Sequence, residues 1–233
     1  MLVNCVAYQQ GEKVADIDRQ DISEHLKQPG SFVWVALYEP DDAELDAMQE
    51  QFGLHELAVE DARSGHQRPE DRGVRAARCS SSCTPSSWTA TQLHVGEVDI
   101  FVGSQLCALR SAAARERGFS IVRARCETEP DLLKHGSGFV LYALMDSVVD
   151  RYFPVLDALS DEQERLEDEI FGGGLARRNI EALYDLKRRL MTLQARGGAA
   201  VRGGRQSSMA AAYRRCARSQ DYFSRRLTIT SAA

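Results

Sequence analysis

Residues 32–61 read FVWVALYEPDDAELDAMQEQFGLHELAVED, and this stretch sets the pattern for the domain. The run 32–38 is almost entirely apolar and aromatic, which predicts a buried central strand. A proline ends the strand, and Asp41 or Asp42 is expected to cap a helix that stops just before Gly53. A buried strand followed directly by a helix is typical of a layered α/β domain.

A short second helix follows, and it carries two adjacent carboxylates, Glu60 and Asp61. Leu54, Leu57 and Ala58 lie at helical spacing and predict its buried stripe. That stripe leaves the two carboxylates at the exposed end of the helix. Carboxylate oxygens are the ligands that hard divalent cations such as Mg2+ prefer, so the pair is a candidate cation site.

Two histidines, His55 and His66, flank these carboxylates. Spacing alone favours a solvated acidic helix end over a cation site. A hydrolase that uses either histidine with Glu60 is disfavoured, because no motif pairs a nucleophile with a base anywhere in the sequence. We therefore do not expect an enzyme.

Further strands are expected on both sides of this stretch. Residues 2–8 and 12–17 bracket a turn, and residues 93–102 and 106–110 flank a second one. Residues 119–125 fit either a short helix or a strand. The order of strands and helices again predicts an α/β fold.

Long helices follow from Phe139, where apolar residues recur at helical spacing. Pro154 lies within this pattern and is expected to kink or split the helix. Glycines 172–174 interrupt the pattern, and a second helix is expected to run from there to Gln194. Two long helices joined by a short loop predict an antiparallel hairpin.

Two segments, 70–91 and 195–233, depart from these patterns. The first is rich in Arg, Ser, Thr and Cys without helical or strand periodicity, and so long a loop is uncommon in a compact domain. The second is basic and interrupted by glycine pairs. Neighbouring reading frames of GC-rich codons would encode ordinary domain sequence here, so we interpret both as frame-shifted, with loss of a central strand. A genuine loop, or a basic tail that touches RNA or lipid, is the alternative.

Composition narrows the functional classes. A formal net charge of -5 argues against nucleic acid as the main partner. No run approaches the ~20 apolar residues that cross a bilayer, and no signal peptide is readable, so we expect a cytosolic chain or the cytosolic side of something larger. The six cysteines lack zinc-site spacing and indicate a reducing compartment.

Several of these motifs together resemble the cytoplasmic domain of the CorA family of magnesium and cobalt transporters. The matching residues are Trp34 to Leu37, Pro40, 52–55, 58–61, 66–69 and the block 139–153. The resemblance implies an α/β/α sandwich with a mixed central sheet in residues 1–135, a long helical hairpin in 136–194 that leads to a stalk, and a degraded stalk or disordered tail in 195–233.

The resemblance also implies a function: a Mg2+-sensing domain on the cytoplasmic side of an inner-membrane transporter of Mg2+ or Co2+. In the family, Mg2+ bound between neighbouring domains of a homopentamer holds the pore shut. The regulatory ligands map onto Glu60, Asp61 and Asp146, the last of which lies one helical turn before Asp150. The alternative for Asp146 is a solvated helix edge.

Parts of the family pattern are missing from the 233 residues. Ser224-Arg225 stands where the stalk carboxylate is expected, and the two pore helices with their Gly-Met-Asn motif are not found. We therefore expect weak Mg2+ binding, a weak pentamer or none, and no pore from this polypeptide alone. A stand-alone cation-binding or interaction module and the zinc-transporting branch of the family are the alternatives, and the reading frame after Ala233 discriminates the first of them.

Overall fold

A six-stranded mixed sheet forms the centre of the molecule. The structure is a computed structural model that describes residues 1–64, 77–89, 92–103, 106–112, 117–172 and 177–205. Its strands are β1 (Leu2–Gln9), β2 (Glu12–Asp16), β3 (Ser31–Tyr38), β4 (Ala77–Thr89), β5 (Gln92–Val102) and β6 (Leu106–Ala112). Their spatial order is β2-β1-β3-β6-β5-β4. Strands β3 and β6 pair in parallel, and the other neighbouring pairs are antiparallel.

The predicted central strand is confirmed. Strand β3 lies third of the six, and all of its residues except Tyr38 are buried. It pairs with β1 on one side and with β6 on the other, from Val33 opposite Leu106 to Tyr38 opposite Ser111. A strand buried on both faces needs apolar residues at nearly every position, which is what its sequence supplies.

Eight helices are described. They are α1 (Ile22–His25), α2 (Asp42–Phe52), α3 (Glu56–Ser64), α4 (Arg117–Glu127), α5 (Pro130–Leu133), α6 (Ser137–Asp150), α7 (Phe153–Phe171) and α8 (Arg177–Arg205). Residues 119–125, which fitted either a helix or a strand, lie in α4. None of the helices in the described ranges is long and apolar enough to span a bilayer.

Helices cover both faces of the sheet. Successive strand residues point to opposite faces, so a strand that is apolar at nearly every position has two apolar faces to bury. Residues Val6, Tyr8, Phe32 and Trp34 share a core with Val122, Leu133 and Leu144 of α4 to α6. Residues Cys5, Val33, Val35 and Leu37 share a second core with Ile22, Leu45 and Val59 of α1 to α3. We call these two sets of helices the α1–α3 layer and the α4–α6 layer. The expected α/β/α sandwich is therefore present.

Helix α2 begins and ends where the sequence predicted. The side chain of Asp41 accepts a hydrogen bond from the backbone N–H of Glu44 (2.8 Å), and the Asp41 N–H donates to the Glu44 carboxylate (3.3 Å). This reciprocal capping box satisfies two N–H groups at the helix start. Gly53 ends the helix in the left-handed conformation at φ 59°, ψ 41°. Glycine adopts that conformation without the steric penalty that other residues carry.

The expectation that residues 70–91 have lost a central strand is wrong. Residues 77–89 form β4, which pairs antiparallel with β5 from Ala77 opposite Val102 to Thr89 opposite Gln92. This strand lies at the edge of the sheet and not at its centre. An edge strand needs only one ladder of hydrogen bonds and tolerates Pro85, so it lacks the apolar pattern that marks a central strand. Residues 70–76 lie outside the described residues, and the frame-shift interpretation stays a prediction.

The long helix expected from Phe139 is divided, as predicted. Helix α6 ends at Asp150 and α7 begins at Phe153, so that Pro154 lies in the first turn of α7. A proline is tolerated there because the first N–H groups of a helix have no partner within the helix.

Helices α7 and α8 form the predicted hairpin. Val155, Leu159 and Leu166 of α7 pack with Leu186 of α8 in a third buried cluster. Arg189 of α8 donates two hydrogen bonds to the Glu162 carboxylate of α7, each of 2.7 Å. Contacts of this kind along both helices are those of an antiparallel pair.

The expected end of the second helix at Gln194 is wrong, because α8 continues to Arg205. Each glycine in a helix costs only about 1 kcal/mol relative to alanine, and an existing helix propagates without a new nucleation cost. Helix α8 also lies against β4, which adds tertiary contact that the sequence pattern does not display. Residues 206–233, the rest of the expected stalk or tail, lie outside the described residues.

Candidate cation-binding site

The predicted acidic pair lies within helix α3 and not at its end. The helix extends to Ser64, one turn beyond Glu60 and Asp61. Glu60 is exposed, and its backbone carbonyl accepts a hydrogen bond from the Ser64 hydroxyl (3.0 Å). No described residue donates a hydrogen bond to the Glu60 carboxylate. This carboxylate is therefore open to a cation from solvent.

The buried stripe of α3 agrees with the predicted one at Leu54 and Ala58 but not at Leu57. Val59 and Ala62 are buried, and Leu54 is buried just before the helix, whereas Leu57 is 43% exposed. Ala58 and Val59 lie about one turn before Ala62, and these residues form the face that packs on the sheet. Leu57 is the one residue of the predicted stripe that lies off this face.

His55 and Arg63 hold α3 in place. The Nδ1 atom of His55 accepts the backbone N–H of Leu57 (3.2 Å), so this histidine caps the helix. Arg63 forms ion pairs with Asp42 (3.3 Å) and with Asp46, both on α2. These contacts fix the acidic pair relative to α2. His66, the second flanking histidine, lies outside the described residues.

The third predicted ligand, Asp146, lies on α6 and already has a cationic partner. The Arg125 side chain of α4 donates a hydrogen bond from Nη2 to Asp146 Oδ2 at 2.9 Å. This hydrogen bond is the main reason why the pKa of Arg125 is raised, and the charges of Asp146 and Asp150 act in the same direction. Asp146 is therefore in a different electrostatic state from Glu60.

Helix α3, which carries Glu60 and Asp61, belongs to the α1–α3 layer, whereas helix α6, which carries Asp146, belongs to the α4–α6 layer across the sheet. The side chain of Asp61 lies outside the described residues. Among the described residues, no three His, Cys, Asp or Glu side chains lie close enough to hold a metal ion. The carboxylates fit a hard divalent cation in chemical type but not in number.

Arg125 is the residue that the sequence analysis missed. It lies 21 residues before Asp146, a separation at which no periodicity links the two. The only local indication was that two carboxylates one helical turn apart, Asp146 and Asp150, attract a basic partner when an adjacent helix carries one.

The fold matches solved structures of a soluble domain and of a cytoplasmic domain. The soluble domain of CorA from Methanocaldococcus jannaschii superimposes with a TM-score of 0.63 at 18% identity, covering 100% of this chain and 92% of that chain. The cytoplasmic domain of ZntB from Vibrio parahaemolyticus gives a TM-score of 0.54 at 11% identity, covering 99% of this chain and 91% of that chain. At these identities the likeness shows the fold alone. The molecule has the fold of the CorA soluble domain.

The sequence carries the assignment further. The family model described as CorA-like Mg2+ transporter protein matches residues 29–200, and the chain belongs to this family. YfjQ of Bacillus subtilis is 32% identical over 146 residues, which cover 62% of this chain and 44% of that protein. The cobalt/magnesium transport protein CorA of Thermotoga maritima is 27% identical over 150 residues, which cover 62% of this chain and 41% of that protein.

These findings confirm the resemblance stated from the sequence. The chain spans less than half the length of the curated relatives that it matches. The family is one of transporters, in agreement with the expectation that the chain is not an enzyme.

Proposed function

We propose that this chain is the Mg2+-sensing regulatory domain of a CorA-like transporter of Mg2+ or Co2+, acting on the cytoplasmic side of the membrane. Membership of the family and the fold of the CorA soluble domain support the assignment. The sensing ligands are Glu60 and Asp61 of one copy together with Asp146 of a neighbouring copy.

One observation carries this proposal: the acidic pair and Asp146 lie in layers on opposite faces of the sheet. A single chain therefore presents two incomplete half-sites, one on the helix layer of each face of the sheet. A cation that bridges the α1–α3 layer of one copy and the α4–α6 layer of the next links two copies. Binding of such a cation stabilises the assembly, and the stabilisation grows as the free cation concentration rises above the dissociation constant.

The ligand chemistry favours Mg2+ over Zn2+. Mg2+ retains several of its waters and is commonly held by only one or two carboxylates, which suits half-sites with few ligands. Zn2+ prefers tetrahedral sites with nitrogen or sulfur ligands, and the nearest described histidine, His55, uses its Nδ1 atom to cap α3. Oxygen ligands alone do not distinguish Mg2+ from Co2+.

The test is sedimentation velocity of the full chain during a titration with MgCl2, with NaCl at matched ionic strength as the control. We expect the mean mass to rise at Mg2+ concentrations on the order of millimolar, as for sites with few charged ligands. Both the double variant Glu60→Gln/Asp61→Asn and the variant Asp146→Asn should lose this response. Each variant should retain its native circular dichroism spectrum.

Mixing the two variants sharpens the test. The Asp146→Asn chain keeps an intact acidic pair, and the Glu60→Gln/Asp61→Asn chain keeps Asp146, so the mixture can form one complete site per pair of chains. We expect Mg2+-dependent dimers and nothing larger. Mg2+ binding by calorimetry without any change in mass would instead support the stand-alone cation-binding module.

A further inference from the structure

We propose that Arg125 is a built-in competitor of the divalent cation: it occupies Asp146 in the cation-free domain and must be displaced before a cation binds there. This inference rests on the proposed function, because it concerns the half-site that contains Asp146. It adds a residue that sets the threshold concentration at which the domain responds.

The geometry places the guanidinium where a cation would bind. Nη2 of Arg125 lies 2.9 Å from Oδ2 of Asp146, and the two side chains are 49% and 31% exposed. A partly exposed ion pair exchanges readily with ions from solvent, whereas a fully buried pair would be locked. Displacement of Arg125 therefore needs no unfolding of the layer.

Hydrogen bonds fix the backbone of Arg125, whereas its side chain is about half exposed to solvent. Its carbonyl accepts hydrogen bonds from the Thr128 hydroxyl (2.7 Å) and from the Thr128 N–H (3.2 Å) at the end of α4. The next residue, Cys126, is buried in the same core as Ala143 of α6. The guanidinium is thus kept within reach of α6 whether or not it is bonded to Asp146.

Electrostatics makes the two cations exclusive. Asp146 and Asp150 lie one turn apart on α6, and both carboxylates act on Arg125. Arg125 neutralises one of these two charges. A divalent cation placed at the same carboxylate is repelled by the guanidinium a few ångströms away. It gains the full attraction of Asp146 and Asp150 only after Arg125 has moved away.

Glu60, in the opposite half-site, has no such competitor among the described residues. The neighbouring basic residue on α3, Arg63, is directed to Asp42 and Asp46 of α2. Among the described residues none donates a hydrogen bond to the Glu60 carboxylate. Of the two described carboxylates Glu60 and Asp146, only Asp146 is therefore subject to this competition.

Calorimetric titration of the full chain with MgCl2 tests the proposal. Since exposed ion pairs contribute up to about 1 kcal/mol, Arg125→Gln should tighten Mg2+ binding about two- to fivefold. Arg125→Lys keeps the positive charge and should leave the affinity within about twofold of the original. Arg165→Gln removes the same charge from an exposed pair with Glu169 on α7 and should have no effect, which controls for net charge.

The double variant Arg125→Gln/Asp146→Asn separates the two proposals. If Arg125 acts through Asp146, its removal changes nothing in the Asp146→Asn background. If Asp146→Asn alone leaves Mg2+ binding unchanged, the proposed site is wrong. If Asp146→Asn weakens binding but Arg125→Gln does not strengthen it, the site stands and the competition is refuted.

Thermal unfolding with and without MgCl2 gives a second readout. A purely structural ion pair predicts that Arg125→Gln lowers the melting temperature equally in both conditions. The competition predicts a larger Mg2+-dependent rise in melting temperature for Arg125→Gln than for the unmodified chain. Should Arg125→Gln fold poorly, Arg125→Ala, with its shorter side chain and the same loss of charge, is read in the same way.

Discussion

The two helix layers bury similar apolar faces against the sheet. They differ in whether an exposed carboxylate has a cationic partner and in how closely other atoms approach a glycine. In the α1–α3 layer, Glu60 has no described partner and the end of α2 at Gly53 is open. In the α4–α6 layer, Asp146 is paired with Arg125, and helix α5 lies directly against the turn at Gly11. Of these described residues, the acidic one is thus paired in one layer and unpaired in the other, and the glycine is crowded in one and open in the other. We therefore expect the layers to differ at these charged and glycine positions and to agree at their buried apolar ones.

The largest effects should show that the layers are equal in apolar burial. Leu45 of α2 and Leu144 of α6 are 4% and 0% exposed. Replacing either by alanine leaves a cavity, so we expect a loss of about 2 to 5 kcal/mol in the free energy of unfolding for both. Urea denaturation measures this. Leu57→Ala is the control, because an exposed side chain should contribute less than about 0.5 kcal/mol.

If Leu45→Ala costs far less than Leu144→Ala, the α1–α3 layer is loosely packed and the equality of the two layers fails. If Leu57→Ala costs as much as Leu45→Ala, the buried stripe predicted from the sequence is right and the described one is wrong.

Glycine substitutions should lower the free energy of unfolding by different amounts in the two layers. Gly11 has φ +88°, and an added Cβ would meet the Pro130 carbonyl oxygen at 2.2 Å and the Lys134 nitrogen at 2.8 Å. Both are backbone atoms of α5 and its end, so Gly11→Ala combines left-handed strain with overpacking and should cost about 2 to 4 kcal/mol. Gly53→Ala meets no atom within 4 Å and carries the strain alone, about 1 to 2 kcal/mol. Equal losses of stability in thermal unfolding of the two variants would show that α5 shifts to make room for the added Cβ atom at position 11.

Thiol reactivity should again be alike in the two layers. Burial raises the pKa of Cys5, in the core of the α1–α3 layer, to about 12, and does the same for Cys126 in α4. Both thiols should stay unmodified by iodoacetamide at pH 8, as peptide mass spectrometry can check. Their contribution to stability is complete below pH 9, the ordinary thiol pKa, and is lost as the pH rises towards 12. Labelling of one cysteine in the native state would identify the layer that opens.

The smallest expected difference is in the stability lost when Asp146 or Glu60 is neutralised in the absence of a divalent cation. Asp146→Asn removes the partner of Arg125 and should cost about 0.2 to 1 kcal/mol, as for exposed ion pairs. Glu60→Gln removes no described contact and should be neutral within about 0.5 kcal/mol. Urea denaturation in the presence of EDTA measures both. A larger loss for Glu60→Gln would reverse the electrostatic contrast between the layers.

Much of the fold could be predicted because its determinants are local. An unbroken apolar run predicted the central strand, and a capping residue and a terminal glycine predicted α2. Helical periodicity on both sides of a glycine triplet predicted the α7–α8 hairpin. The acidic pair on α3 was recognised by its motif and chemistry. The errors occurred where local pattern is weak: the polar edge strand β4, the extension of α8 through its glycines, and the position of Leu57 on α3.

The sequence by itself determined the family, the order of the main elements and the candidate ligands Glu60, Asp61 and Asp146. These depend on residue types and on spacings of two to four residues, which short-range sterics convert directly into strands and helices. Only the tertiary structure decided that the helices carrying these candidate ligands lie on opposite faces of the sheet and that Arg125 pairs with Asp146. Those relations follow from the packing of helices on both faces of the sheet and of α4 against α6, which bring together residues that no local periodicity connects.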